Sequence, residues 1–91
     1  MKLQDALFNW LQIKIVADAR DGDQAARETL GFFTQILHED HRLSRFEITN
    51  RDETFITVKY ETDGKIKTQM FDRLSAEQLL NDINANPKFN E

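Results

Sequence analysis

Two histidines with two acids between them are the residues of this chain that most resemble a metal site. His38 and His41 are three residues apart, so on a helix they lie about one turn from each other. Metal-binding helices more often separate two histidines by four residues, and they need a third ligand. Asp40 falls near the apolar side of the predicted helix. We therefore interpret both histidines as the end of a helix, where cationic character suits the C-terminal dipole, and we predict no metal.

Three acids cluster where two predicted helices meet. Asp18, Asp21 and Asp23 lack the 12-residue ligand spacing with a terminal glutamate that a calcium loop requires. Asp21 fits the N-cap of the second helix, and Gln24, three residues later, completes a capping box. The cluster therefore predicts a helix start rather than a cation site.

Residues that could catalyse a reaction do not form a set in this sequence. The chain has no cysteine. Ser44 and Ser75 fit a strand edge and a helix cap, and the three glycines are too scattered for a phosphate-binding loop. We therefore predict that the protein is not an enzyme and holds no cofactor.

Basic and aromatic side chains are predicted to share the outer face of a β-sheet. Such a combination is typical of single-stranded nucleic-acid binding. Glu47 and Glu61 share the face, which leaves a net charge of +2 from four cations and two anions, and the chain as a whole carries −4. Non-specific nucleic-acid binding as the main role is therefore disfavoured. The six residues of this predicted surface are Arg45, Lys59, Lys65, Lys67, Phe55 and Phe71.

A β-hairpin determines which side chains reach that face. Ile56, Val58 and Tyr60 alternate with polar residues, as in a strand with one buried face. A two-residue loop would place the apolar residues of the next strand on the opposite face, so we predict a three-residue loop over 62–64. Gly64 would adopt the left-handed conformation of a G1 bulge. The predicted pairs are Tyr60 with Ile66, Val58 with Thr68, Ile56 with Met70, Lys59 with Lys67, and Phe55 with Phe71.

The remaining elements complete a single predicted domain over 1–91. We expect an α+β fold with two layers and the order ααβββα, in which the helices pack on one face of a three-stranded antiparallel meander. A three-residue turn over 51–53 would pair Ile48 with Ile56, and Ser75 would cap the last helix between the staple residues Leu74 and Leu79. The predicted bounds are helices 2–19, 23–40 and 76–84, strands 44–50, 54–61 and 65–71, and a frayed tail 87–91.

The first helix carries an apolar arc that is wider than one sheet face requires. Either it is sandwiched between the sheet and a neighbouring helix, or part of it forms a homodimer interface. Trp10 is the best anchor for the second interpretation, since tryptophan is enriched at interface hot spots. The candidate interface residues are Trp10, Leu3, Leu7 and Phe8.

The order of helix, three antiparallel strands and helix resembles in outline the double-stranded-RNA-binding domain. That family uses a basic cluster at the start of its last helix, whereas residues 75–78 here contain no cation. The resemblance therefore does not imply RNA binding.

Two functions agree with these observations. The first is a cytoplasmic, non-catalytic interaction or regulatory module with a protein partner, which could be a second copy of the chain. The alternative is a weak binder of nucleic acid or an anionic ligand through the outer sheet face. The start of the chain does not resemble a signal peptide, and no apolar run reaches the roughly 20 residues of a membrane span.

Overall fold

Three helices and a three-stranded antiparallel sheet make up the computed structural model, which describes residues 1–86. The helices are α1 (Leu3–Ala19), α2 (Gln24–Glu39) and α3 (Arg73–Ala85), and the strands are β1 (Leu43–Arg51), β2 (Phe55–Thr62) and β3 (Lys65–Asp72). The strands are neighbours in chain order, so β2 is central and β1 and β3 are the edges. The predicted α+β class and the order ααβββα are confirmed. The predicted tail 87–91 lies outside the described residues.

Helix α1 lies between the sheet and the other two helices, which explains its wide apolar arc. Leu7 and Leu11 are fully buried in a cluster that also contains Ile56 and Val58 of β2. Trp10 packs edge-on against Phe46 of β1, with 5.1 Å between ring centroids. A second cluster joins the far half of α1 to the flanking helices; it contains Ile13, Val16, Ala26, Leu79, Leu80 and Ile83. No helix in the described range is both long and apolar enough to cross a bilayer.

The predicted register of the β2–β3 hairpin is wrong by one residue. Thr62 pairs with Lys65, so the loop is the two-residue Asp63-Gly64 rather than three residues. Asp63 has φ 53° and Gly64 has φ 76°, which is the positive-φ pair that a type I′ turn requires. Tyr60 therefore pairs with Lys67 instead of Ile66. Every side chain of β3 consequently points to the face opposite the predicted one.

The predicted pairing of β1 with β2 is also displaced. Phe46 pairs with Tyr60, and Ile48 pairs with Val58 rather than with Ile56. The displacement is an even number of residues, so Phe46 and Ile48 keep the predicted direction toward the helices. Two irregularities in β1, between Leu43 and Arg45 and between Ile48 and Asn50, accommodate the extra residues.

The β1–β2 turn is fastened to the start of α3. The Asp52 carboxylate accepts hydrogen bonds from the backbone N–H groups of Thr54 at 2.8 Å and Phe55 at 2.6 Å. The Arg73 side chain donates to the Asp52 carbonyl at 2.9 Å, and its backbone N–H donates to the Thr54 carbonyl at 2.9 Å. The backbone bonds from Phe55 and Thr54, with Arg73 nearby, lower the pKa of Asp52. This arrangement holds the last helix against one end of the sheet.

Both predicted helix caps are replaced by a nearby aspartate. Asp23, not Asp21, is the N-cap of α2, where its carboxylate accepts from the Ala26 N–H at 3.0 Å. Asp72, not Ser75, caps α3; it accepts from both the backbone N–H and the hydroxyl of Ser75 at 2.9 Å. In each case the carboxylate that lies directly before the first helical residue makes the cap.

Replacing Asp23 with alanine is expected to lower the thermal midpoint, whereas Asp21→Ala is expected to leave it nearly unchanged. The bond from the Ala26 N–H and then the bond from Arg20 lower the pKa of Asp23 below its ordinary 3.8. The ionised form is therefore favoured in the folded state, and its stabilising effect is complete above the unfolded pKa. The effect is lost as the pH falls through the lower folded pKa.

The two variants should therefore differ at neutral pH and converge in strong acid, as thermal melts across pH would measure. An equal loss in both at pH 7 would contradict the assignment of the cap.

Candidate interaction surface

The face of the sheet that points away from the helices is open. Ile56, Val58 and Tyr60 of β2 are buried beneath the helices, so the alternate residues of β2 point outward. None of the elements within residues 1–86 covers this side. Its residues form cross-strand rows: Arg45, Glu61 and Ile66 in the first, Glu47, Lys59 and Thr68 in the second, Asn50, Thr57 and Met70 in the third, and Phe55 with Asp72 in the fourth. We call these eleven residues the outer face.

Apolar side chains are exposed along the β3 side of the outer face. Ile66 is 63% exposed and Met70 is 52% exposed, with Thr68 between them on the same strand. Phe55 is also exposed, and it lies diagonally from Met70, because Thr57 pairs with Met70 and Phe55 with the next outward residue of β3. Diagonal neighbours on one face are within reach of long and aromatic side chains. The outer face therefore offers apolar contact area to the solvent.

Four charges of alternating sign occupy the β1–β2 half of the outer face. Arg45 lies opposite Glu61, and Glu47 lies opposite Lys59. The sign also alternates along each strand, since Arg45 precedes Glu47 in β1 and Lys59 precedes Glu61 in β2. Two cations and two carboxylates sum to zero, so this half of the face is polar without a net charge. Asp72, in the fourth row, is engaged as the cap of α3, and its bonds from Ser75 lower its pKa.

Only three of the six residues predicted for this surface lie on it. Arg45, Lys59 and Phe55 point outward as predicted, whereas the hairpin register turns Lys65, Lys67 and Phe71 to the helix side. Phe71 packs there against Phe8 with 5.8 Å between ring centroids, while the two lysines remain exposed at the edge of the sheet. Ile66 and Met70 lie on the outer face, although the sequence predicts that they point toward the helices. The Asp63-Gly64 dipeptide was the signal that could have placed them, since Asp-Gly strongly favours a two-residue hairpin loop.

The residues proposed for an interface on the first helix belong to the core of the protein. Leu7 is 0% exposed and Trp10 is 4% exposed, because the sheet covers one side of α1 and the flanking helices cover another. Leu3 and Phe8 are half-buried and pack against the same cluster. Leu7 and Trp10 therefore have almost no exposed surface with which to contact a partner, whereas Leu3 and Phe8 are partly exposed.

A cleft of about 590 Å³ separates α2 from β1, and a neighbouring groove of about 380 Å³ continues it. Apolar and polar side chains both line the cleft, and they include the ion pair between Lys14 and Asp18, at 3.0 Å. In the groove, the His38 ring nitrogen Nδ1 donates to the Leu43 carbonyl at 2.6 Å, and the Ser44 hydroxyl donates to the Glu61 carbonyl at 3.3 Å. The His38 ring and the Ser44 hydroxyl therefore each make a hydrogen bond to a backbone carbonyl. The cleft is lined by Trp10, Lys14, Asp18, Leu30, Thr34, Phe46, Glu47, Ile48 and Arg51.

The two histidines end up in different environments. His38 stacks at an angle on Phe46, with 4.9 Å between ring centroids, in addition to its bond to Leu43. The Nε2 atom of His41 is buried and makes no hydrogen bond within the described part of the chain. Across residues 1–86, no three histidine, cysteine or acidic side chains are grouped so that they could hold a metal ion.

Comparisons with family models, with curated proteins and with solved structures found no match to this sequence or fold.

Proposed function

We propose that this protein is a non-catalytic protein-interaction module and that the outer face is its binding surface. The observation that carries the proposal is an open sheet face on which Ile66 and Met70 are each more than half exposed. Single exposed apolar residues are common on proteins, but contiguous apolar patches bordered by polar residues mark interaction sites. Here Phe55 extends the patch, and Glu61 and Lys59 of the neighbouring strand form its polar border.

The charge of the outer face favours a protein partner over a nucleic acid. Lys59 and Arg45 each lie opposite a carboxylate, so they are poorly placed to neutralise phosphates. Phe55 is the one aromatic ring on the face, whereas single-stranded nucleic acids stack successive bases on several rings. The exposed side chains of Ile66, Met70 and Phe55 form an apolar strip, and such a strip beside balanced charges suits a protein surface of the same mixed character.

Substituting Ile66 with lysine is expected to abolish partner binding without affecting the fold. The side chain is already exposed, and a lysine there would lie opposite Glu61, which favours the native strand pairing. Phe32→Lys is the matched control, because Phe32 is 60% exposed on α2, away from the sheet. The measurement is affinity capture from a cytoplasmic extract with wild-type and variant baits.

We expect wild type and Phe32→Lys to retain the same bound protein, and Ile66→Lys to lose it. Equal capture by all three baits would place the binding surface elsewhere on the molecule. Salt-sensitive binding of single-stranded nucleic acid that Lys59→Glu removes would favour the nucleic-acid alternative instead.

A further inference from the structure

We infer that the outer face binds a second copy of the same face, which makes the protein a face-to-face homodimer. This inference rests on the proposed function, since it names the partner of the same surface. It locates self-association on the open side of the sheet and leaves α1 inside the core. Two features of the outer face favour a second copy as the partner: the sign pattern of its four charges and the exposed Ile66 beside them.

The four charges are self-complementary under two-fold symmetry. In a closed dimer the same patch meets itself, so a residue at one position faces a different position of the partner. If a two-fold axis lies in the face and runs across the strands between the first two rows, Arg45 meets Glu47 of the other copy. Glu61 then meets the other copy's Lys59. Because the signs alternate in both directions, an axis along the strands between β1 and β2 also pairs every cation with a carboxylate. Most charged patches lack this property, since like charges then meet across the axis.

Ile66 and Thr68 add uncharged contact area beside the four charges. With the axis across the strands, Ile66 of one copy lies over Thr68 of the other, whereas Met70 and Phe55 lie in the third and fourth rows, beyond the two rows that face each other. The two rows that face each other span about 14 by 13 Å across three strands, from strand spacing and rise. This is smaller than the ~800 Å² per partner of a standard stable interface, so we expect a weak, reversible dimer.

Sedimentation equilibrium of the wild-type protein between about 10 μM and 1 mM is the first test. We expect a concentration-dependent monomer–dimer equilibrium. Ile66→Lys should raise the dissociation constant at least about tenfold, because it places a charge in the apolar part of the interface. The control Phe32→Lys should leave the constant unchanged. Each substitution with lysine changes the net charge from −4 to −3, which lowers the general repulsion between copies. Repulsion therefore cannot explain a weaker dimer.

Charge reversal tests the symmetry directly. Lys59→Glu changes the four charges to three carboxylates and one cation, so this variant should weaken the dimer. Reversing all four signs restores alternation and keeps the net charge, so this variant should dimerise like the wild type. The two forms should not mix, however, because every contact between them would join like charges. Native mass spectrometry of a mixture measures this. The four substitutions are Arg45→Glu, Glu47→Lys, Lys59→Glu and Glu61→Lys.

Three results would overturn the inference, and they separate it from the proposed function. A dimer that Ile66→Lys and Lys59→Glu both leave intact would use another surface. A chain that stays monomeric up to about 1 mM, yet captures a different protein only when Ile66 is present, would refute self-association and keep the interaction module. A monomer with no capture that depends on the outer face would refute both.

Discussion

The Leu11→Ala variant is expected to lose about 2–5 kcal/mol of folding free energy, the range found for buried leucines. Leu11 is 0% exposed in the middle of α1, where the sheet and the flanking helices leave it no route to the solvent. Total stabilities of small domains are about 5–15 kcal/mol, so this single change removes a large share. Urea unfolding followed by circular dichroism would measure it.

Leu74→Ala is the matched control for that experiment. Leu74 is also a helical leucine, but it lies in the first turn of α3 and is 74% exposed. We expect a change within about 0.5 kcal/mol, as for ordinary surface substitutions. Comparable losses at both positions would mean that α1 is not the centre of the core. Trp10 is buried in the same cluster as Leu11, so Trp10→Ala is also expected to destabilise the fold.

The same substitution, glycine to alanine, is expected to have opposite effects at two positions. The turn holds Gly64 in the left-handed conformation, with φ 76°, and this conformation costs a non-glycine residue about 1–2 kcal/mol. At Gly31, in the interior of α2, alanine should stabilise the protein by about 0.5–1 kcal/mol because it reduces the conformational freedom of the unfolded chain. Neither position has any atom within 4 Å of an added Cβ, so crowding does not contribute. Paired thermal melts would measure the two changes.

A stabilising Gly64→Ala would contradict the two-residue turn and the register that follows from it. A destabilising Gly31→Ala would indicate that residues 24–39 do not form a continuous helix in solution. Because both variants replace the same residue types, differences in composition do not enter the comparison.

The order of the elements and the class of the fold could be predicted because they follow from periodicity. The three-to-four-residue spacing in α1 and the alternation in β2 each indicate one type of structure. Pairing register was harder, because β3 has two competing signals. Its apolar residues Ile66 and Met70 suggest one face, and the turn dipeptide Asp63-Gly64 dictates the other. The turn prevails because β3 is an edge strand on which only Phe71 needs to reach the core.

The candidate surface could not be derived from the sequence for the same reason. Apolar residues in a strand normally face the core, so the sequence predicts that Ile66 and Met70 point toward the helices and that Lys67 points outward. Similarly, the wide apolar arc of α1 predicts that several sides of this helix are buried. It does not say whether those sides are covered by the same chain or by a partner. The caps were displaced by two or three residues because several acids and hydroxyls near each helix start could accept the same backbone N–H groups.

The two edge strands carry features that discourage another strand from joining the sheet. Lys65 and Lys67 project to the helix side of β3, where an added strand would have to bury their ammonium groups, and β1 is broken by irregular pairing at two points. Lateral addition would continue from copy to copy and lead to fibres, whereas stacking of two open faces closes after a single step. The lysines of β3 and the irregular pairing of β1 therefore disfavour growth of the sheet by strand addition.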